Sequence, residues 1–507
     1  MISFPHLIVP LVSLILFIVF LFKWYGNPSS TARKRLPPSP PKLPIIGNLH
    51  QLGQLPHRSL QALSKCYGPL MLLHLGRLPV LVVSSADGAH EIMKNQDVVF
   101  SNRPKLRVID KIIYGSKDMA FAPYGEYWRQ VRSICVLQLL SNKRVQSFRR
   151  VREEEMSLMI EKIRHSSSSS INLSNILVSL TNDIICRVAL GRKYIAAQES
   201  TKIVSKLKEF QELLVTFNPG DYIPWLDWIN RVNDFNANVE KMARWFDDFF
   251  EGVVEEHRNR KKRETNLKDS SNEADLVDIL LEIQRENMAG SPIENDTIKA
   301  VIFDIFVAGT DTSSTALVWT MAELLKHPKS MEKLQNEVRQ VAGSKLDVTE
   351  DDLDKMLYLK AVMKESLRLH PPLPLLLPRE STQDSKILGY DIAVKTRVII
   401  NSCAIARDPL LWESPEDFCP ERFLDTGMDF RGLNFEYIPF GAGRRGCPGI
   451  TFAIAVAELA LAKLMLNFNF GLPHGATEKD LDMTESPGDT VSKKIPLLVN
   501  VRKNNKY

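Results

Sequence analysis

The chain has 507 residues, 44% hydrophobic and 25% charged, ample for a large core in one unit or several. Its net charge of +5 is mild for this length and gives no argument for nucleic acid. The densest basic stretch, His257 to Arg263, has no interleaved aromatic residues to stack bases. It reads as a solvated helix end leading into the polar segment Glu264 to Glu273. The six cysteines form no C-x-x-C pair, which excludes a small secreted disulfide scaffold. Five of them read as ordinary buried thiols in a reducing compartment.

Ile2 to Phe22 is apolar except for Ser3, His6 and Ser13. About 20 apolar residues span a bilayer as a helix. Lys23 and Arg33 to Arg35 follow this run, so the positive-inside rule places the remainder in the cytosol. The charges lie after the apolar core and no small-x-small site closes it, which argues against a cleaved signal. Residues 1–22 are therefore expected to be an uncleaved single-pass anchor in the endoplasmic reticulum membrane. Residues 23–45 form a basic and proline-rich hinge, in which Leu36 to Pro44 is stiff and extended.

Residues 46–507 read as one domain, mainly α with a smaller β-rich region, without repeats or a further linker. Leu70 to Leu75 and Pro79 to Ser84, around Gly76, predict a hairpin. Helical periodicity marks Val145 to Ile163, Ser205 to Val215, Val239 to Val254, Asp296 to Lys326 and Lys355 to His370. Ser166 to Ser170 is a short low-complexity loop, and Ile387 to Ile400 offers more strand around Gly389.

Several constellations carry chemistry. Trp128 and Arg132 lie one helical turn apart. Ala308-Gly309-Thr310-Asp311-Thr312 sets an acid beside an alcohol inside an apolar helix, which is costly without a partner or a task. Gly309 would allow close approach to a flat ligand and a locally widened turn. The plainer alternative is a threonine bonded to its own helix with Asp311 paired to a basic side chain. Glu365 and Arg368 share a helix face, which usually means a surface ion pair of little worth.

Phe440-Gly-Ala-Gly-Arg-Arg445-Gly-Cys447-Pro-Gly449 puts one cysteine in a glycine-rich turn ahead of a helix-like run, Ile450 to Phe468. The turn suits a thiolate that ligates haem iron. Its glycines would bring the backbone close to a flat macrocycle. Phe440 can shield the sulfur and Arg445 can pair with a haem propionate. The amino end of the following helix would hold the sulfur anionic.

In this register, Phe-x-x-Gly-x-Arg-x-Cys-x-Gly resembles the cytochromes P-450. Trp-x-x-x-Arg at 128–132, Ala-Gly-Thr-Asp-Thr at 308–312, Glu-x-x-Arg at 365–368 and Pro-Glu-Arg-Phe at 420–423 follow the same family in order. The proline-rich hinge matches its microsomal members. Phe121-Ala-Pro-Tyr-Gly125 and Pro439 to Cys447 resemble the A-type cytochromes P-450 of plant specialised metabolism, in the branch with menthofuran and psoralen synthases.

The resemblance implies the cytochrome P-450 fold, with one large haem domain behind the anchor. It implies heme b, with Cys447 as axial ligand and Trp128, Arg132, Arg445 and, more loosely, Arg379 at the propionates. Thr312 would steady dioxygen and Asp311 would relay protons to it. Glu365, Arg368 and Arg422 would form a buried structural triad. Electrons would come from NADPH through a separate reductase, with cytochrome b5 as a second donor, because no dinucleotide-binding strand–turn–helix unit is recognisable.

The implied activity is oxidation of a lipophilic terpenoid, coumarin or alkaloid. Pocket walls are implied at Arg103 to Met119, Phe210 to Phe217, Ala300 to Ser313, Pro372 to Pro378 and Gly488 to Val491. A haem-thiolate dehydratase or isomerase without oxygen insertion, and a non-catalytic membrane haem protein, are the competing classes.

Overall fold

The structure is a computed structural model. It describes residues 12–19, 35–166, 170–193, 197–216, 218–264, 274–286 and 293–504. Most of the expected anchor, the basic part of the hinge and Ser167 to Ser169 lie outside the described residues. Val12 to Val19 is helical with its apolar side chains exposed.

The helices that frame the site among the described residues are α1 (Glu126–Ile134), α2 (Arg149–Ser166), α3 (Leu173–Leu190), α4 (Ala197–Val215), α5 (Phe235–Glu264), α6 (Leu276–Glu286), α7 (Asn295–Lys326), α8 (Leu357–Leu369) and α9 (Ile450–Asn467). Among the described residues, α3, α7 and α9 are long and apolar enough to cross a membrane. Their apolar windows are instead 67%, 67% and 72% buried within the protein, as expected of core helices that are hydrophobic all round.

The α7 helix is the axis of the core, with Trp319 and Phe306 fully buried. It runs against α3 at close range: a Cβ on Gly309 would lie 2.5 Å from Ile185 Cδ1. Thr181 Oγ1 on α3 donates to Thr310 O at 2.9 Å. Gly309 thus makes room for a neighbouring helix, and α7 stays α-helical through it without the expected widened turn.

A four-stranded sheet flanks the helices. Leu70–Leu75 pairs antiparallel with Leu78–Val83, which runs parallel to Arg397–Ile400, itself antiparallel to Arg379–Glu380. Gly76 turns the expected hairpin with φ 59°, and a side chain there would strike Tyr222 O. The stretch expected as strand around Gly389 divides into a small hairpin, Ser385–Ile387 with Tyr390–Ile392, and the separate strand Arg397–Ile400. Its turn residues Leu388 and Gly389 both have positive φ, which suits a tight two-residue hairpin.

Two helical expectations change. The run from Val145 breaks at Phe148 into Asn142–Ser147 and α2, and Ser141 caps the first piece by accepting Arg144 N–H. The basic stretch ends α5 but is not simply solvated. His257 is 2% exposed with Nε2 2.9 Å from Asp275, and Arg260 reaches Asp275 at 3.1 Å. A buried acid on the approach to α6 has drawn part of the basic cluster inward.

Candidate active site

A cavity of about 250 Å³ lies between α7 and the cysteine loop. Cys447 and Phe440 line it from the loop, and Ala308, Gly309 and Thr312 from α7. Gly441 and Gly443 have φ of 68° and 69°, and a Cβ on Gly443 would lie 2.2 Å from Met93 O. Gly443 therefore serves the turn and its packing, while Gly441, Gly446 and Gly449 line the cavity. Cys447 N–H donates to Phe440 O at 3.0 Å, which folds the loop back and leaves the sulfur reachable from the cavity.

Burial pushes the Cys447 thiol up, while the Gly449 N–H and Arg132 pull it back in part. The sulfur remains exposed to the cavity, where the helix-end amide and Arg132 act on a thiol that a bound metal ion would deprotonate.

Four arginines, Arg103, Arg132, Arg379 and Arg445, line the same cavity with Trp128. Arg445 Cζ stands 4.2 Å from the Trp128 ring centre. Trp128 Nε1 donates to Met119 O (2.9 Å), Arg132 to Gly446 O (2.7 Å), and Arg379 to Ala442 O (2.9 Å) and Asp97 (3.1 Å). Arg445 donates to the carbonyls of Ser101, Met119 and Ala122.

Burial, reinforced by Arg379, brings Arg445 down to about 9, and burial with Arg445 and Arg379 lowers Arg103 well below the usual guanidinium range. Gathering guanidiniums on carbonyl oxygens is costly unless an anion joins them. A group carrying two carboxylates fits this cluster, and a reachable thiol in the same cavity fits its metal. Sequence reasoning placed Arg103 only in a pocket wall. Its guanidinium joins the cluster because Asn102 pairs with Glu380 and brings that segment beside Arg379.

Thr312 Oγ1 donates to Ala308 O at 2.7 Å, so its hydroxyl stands over the cavity tied to its own helix. Among the described residues, Asp311 meets no basic side chain. Burial raises its carboxyl, hydrogen bonds from Thr490 and Gln211 lower it, and Oδ2 is buried without a partner. The acid and alcohol are neighbours, but only Thr312 lines the cavity. Behind the loop, Glu365, Arg368 and Arg422 form one ionic cluster.

The spacing Gly-x-Gly-x-x-Gly does occur, at Gly441, Gly443 and Gly446, but inside the cysteine loop with no strand before it. It is not a dinucleotide turn, because that function needs the strand–turn–helix context.

The cytochrome P450 family model matches residues 37–501. Norfluorocurarine oxidase of Strychnos sp is 57% identical over 498 residues, covering 97% of both chains. (+)-Menthofuran synthase of Mentha piperita is 55% identical over 489 residues, covering 96% of this chain and 97% of the relative. A zebra fish cytochrome P450 structure with abiraterone superposes with TM-score 0.75 at 27% identity, covering 89% of this chain and all of that one. The chain belongs to the cytochrome P450 family: it is a plant A-type haem-thiolate monooxygenase for a lipophilic small molecule, with electrons passed from NADPH by a reductase.

Proposed function

We propose that Cys447 is the haem ligand and that Arg132, Arg379 and Arg445, joined by Arg103, hold the propionates. The observation that carries this is one reachable cysteine sharing a cavity with four guanidiniums short of counter-charge. Trp128, whose one N–H is bonded to Met119 O, packs against Arg445 instead of donating to a propionate as the resemblance implied. Haem with a thiolate ligand supplies the activation of dioxygen. Phe440 packs beside the loop and keeps water from the sulfur. Thr312 would hold a hydroxyl at the cavity wall that can donate or accept a hydrogen bond there, and Asp311, buried beside it in the chain, would be the acid that replenishes its proton. Glu365, Arg368 and Arg422 are structural: they fasten the segments that carry the loop.

The substrate is a small terpenoid, coumarin or alkaloid, undergoing hydroxylation or a related oxidation. Leu373, Leu376 and Leu377 give the cavity an apolar wall, and the relatives named for norfluorocurarine and menthofuran support this class. The test is a library of such metabolites, scored first by Soret shift and then by NADPH-dependent oxygen uptake in reductase-containing microsomes. Turnover without oxygen uptake would favour a dehydratase or isomerase instead.

Residues 1–22 act as a single-pass anchor in the endoplasmic reticulum, 23–45 as the hinge, and 46–507 as a cytosolic haem domain open to the reductase and to cytochrome b5. The exposed apolar helix at 12–19 supports the anchor. Trp225, Trp228 and Val232, exposed between α4 and α5, support a second contact with lipid.

A further inference from the structure

Two carboxyl groups outside the acid–alcohol pair meet inside the protein. Asp118 is fully buried, and Asp304, two turns before Thr312 on α7, is 8% exposed. Asp304 Oδ2 accepts the backbone N–H of Met119 (2.8 Å) and Ala120 (3.1 Å), and Asp118 Oδ2 accepts that of Phe121 (2.9 Å). The two carboxyls face each other, and Asp118 Oδ1 is buried without a donor among the described residues. Burial raises both carboxyls, and the charge of Asp118 raises Asp304 further.

The same short segment is gripped from its other side. Met119 O accepts from Trp128 Nε1 (2.9 Å) and Arg445 (3.2 Å), Ala120 O from Arg103 Nε (2.9 Å), and Ala122 O from Arg445 (2.6 Å). Its N–H groups thus face two acids while its carbonyls face the cations of the propionate cluster. Met119 and Ala120 also line the cavity. The other ionisable groups near the pair are Arg132 and the Cys135 thiol, both on or at the end of α1.

We propose that Asp118 and Asp304 are positioning residues that hold segment 119–122 so that its carbonyls set Arg103 and Arg445, with Trp128 stacked against Arg445, for the haem propionates. Asp304 fixes the amides of Met119 and Ala120, and Asp118 that of Phe121, so the carbonyls of the segment face the cations. Asp118 is also an attractive partner of both Arg103 and Arg445. Neither acid is routed to Asp311, which bonds instead to Gln211 and Thr490.

The experiment is haem transfer from the full-length holoprotein to excess apomyoglobin, followed in the Soret region. Asp304→Ala strands two loop amides and the Asp118 carboxyl, and should release haem about tenfold faster than wild type. Asp304→Asn can donate its amide to Asp118 and accept the loop amides on its oxygen, so release should stay within about threefold. Release from Asp304→Ala at the wild-type rate, or from Asp304→Asn as fast as from Asp304→Ala, would overturn the proposal.

If Asp304→Ala does not accumulate, Asp118→Asn is the decisive variant: it should stay within about threefold, and a tenfold acceleration overturns the idea. The inference rests on the proposed propionate contacts, which Arg445→Leu tests separately. Normal haem retention in Arg445→Leu sinks those contacts, whatever the acids do.

Discussion

Glu365 and Arg368 meet wholly inside the protein, with Arg368 Nε 2.7 Å from Oε2 and its terminal nitrogen 2.9 Å from Oε1. Both side chains are 0% exposed. Arg422 Nε adds a contact to Oε1 at 3.1 Å, and Arg368 also donates to the carbonyls of Ala406, Pro415 and Asp417. One carboxylate therefore serves two guanidiniums and, through Arg368, three loop carbonyls on the way to the cysteine turn. Glu365→Ala should cost about 3–5 kcal/mol, because it leaves buried charges unpaired. The check is chemical denaturation together with recovery of the reduced carbon monoxide band; near-normal stability would contradict the role given to the cluster.

Cys447→Ser should abolish the reduced carbon monoxide band near 450 nm, which depends on the axial thiolate. Cys135, Cys186 and Cys403 are buried away from the cavity and cannot replace it. A surviving band in the variant would assign the iron to another sulfur.

Thr312→Ala should retain haem and divert electrons to peroxide, with product formation down roughly 10²–10⁴-fold and nearer the low end if water substitutes. The measurement is product and hydrogen peroxide per NADPH consumed. An unchanged ratio removes Thr312 from oxygen activation.

Glu323 supplies a pH dependence. Burial alone would raise its carboxyl, but hydrogen bonds from His327 and His370 hold it down at about 2, against an ordinary 4.5. His370 is fixed for this contact by stacking on Trp319 at 4.1 Å. A depressed acid stabilises the fold above its unfolded pKa, so this contribution is complete above about pH 4.5 and is lost as pH falls towards 2. Glu323→Gln should flatten that part of the stability curve; parallel curves for wild type and variant would count against the assignment.

Asn172-Leu-Ser174 and Asn295-Asp-Thr297 both have the glycosylation pattern. Asn172 caps α3 through Asn175 N–H, and Asn295 accepts from Arg258 at 2.6 Å. With a cytosolic domain, microsomal protein should show no glycosidase-dependent mobility shift, and added protease should digest it without detergent. A shift would reverse the orientation and remove access to a cytosolic reductase.

The motifs that define the cavity were legible in the chain because each is local. A cysteine turn and an acid–alcohol pair declare their chemistry within ten residues. The hairpin at Leu70–Val83 and helices such as α7 and α8 were legible for the same reason, since apolar periodicity and the Pro371-Pro372 stop act over a few turns.

What tertiary structure decided is where long-range partners meet. Glu365–Arg368 looks like a surface pair until the segment 406–422 closes over it. Gly309 looks like an accommodation for a ligand until α3 brings Ile185 against it. Asp118 and Asp304 lie 186 residues apart, and no periodicity announces that they grip the same loop. Arg103 becomes part of a cationic cluster only when Arg379 and Arg445 arrive from distant strands and loops. Sequence determines which groups exist and which neighbours share a helix face; burial and desolvation, which set their charge and worth, arise only when remote segments exclude water together.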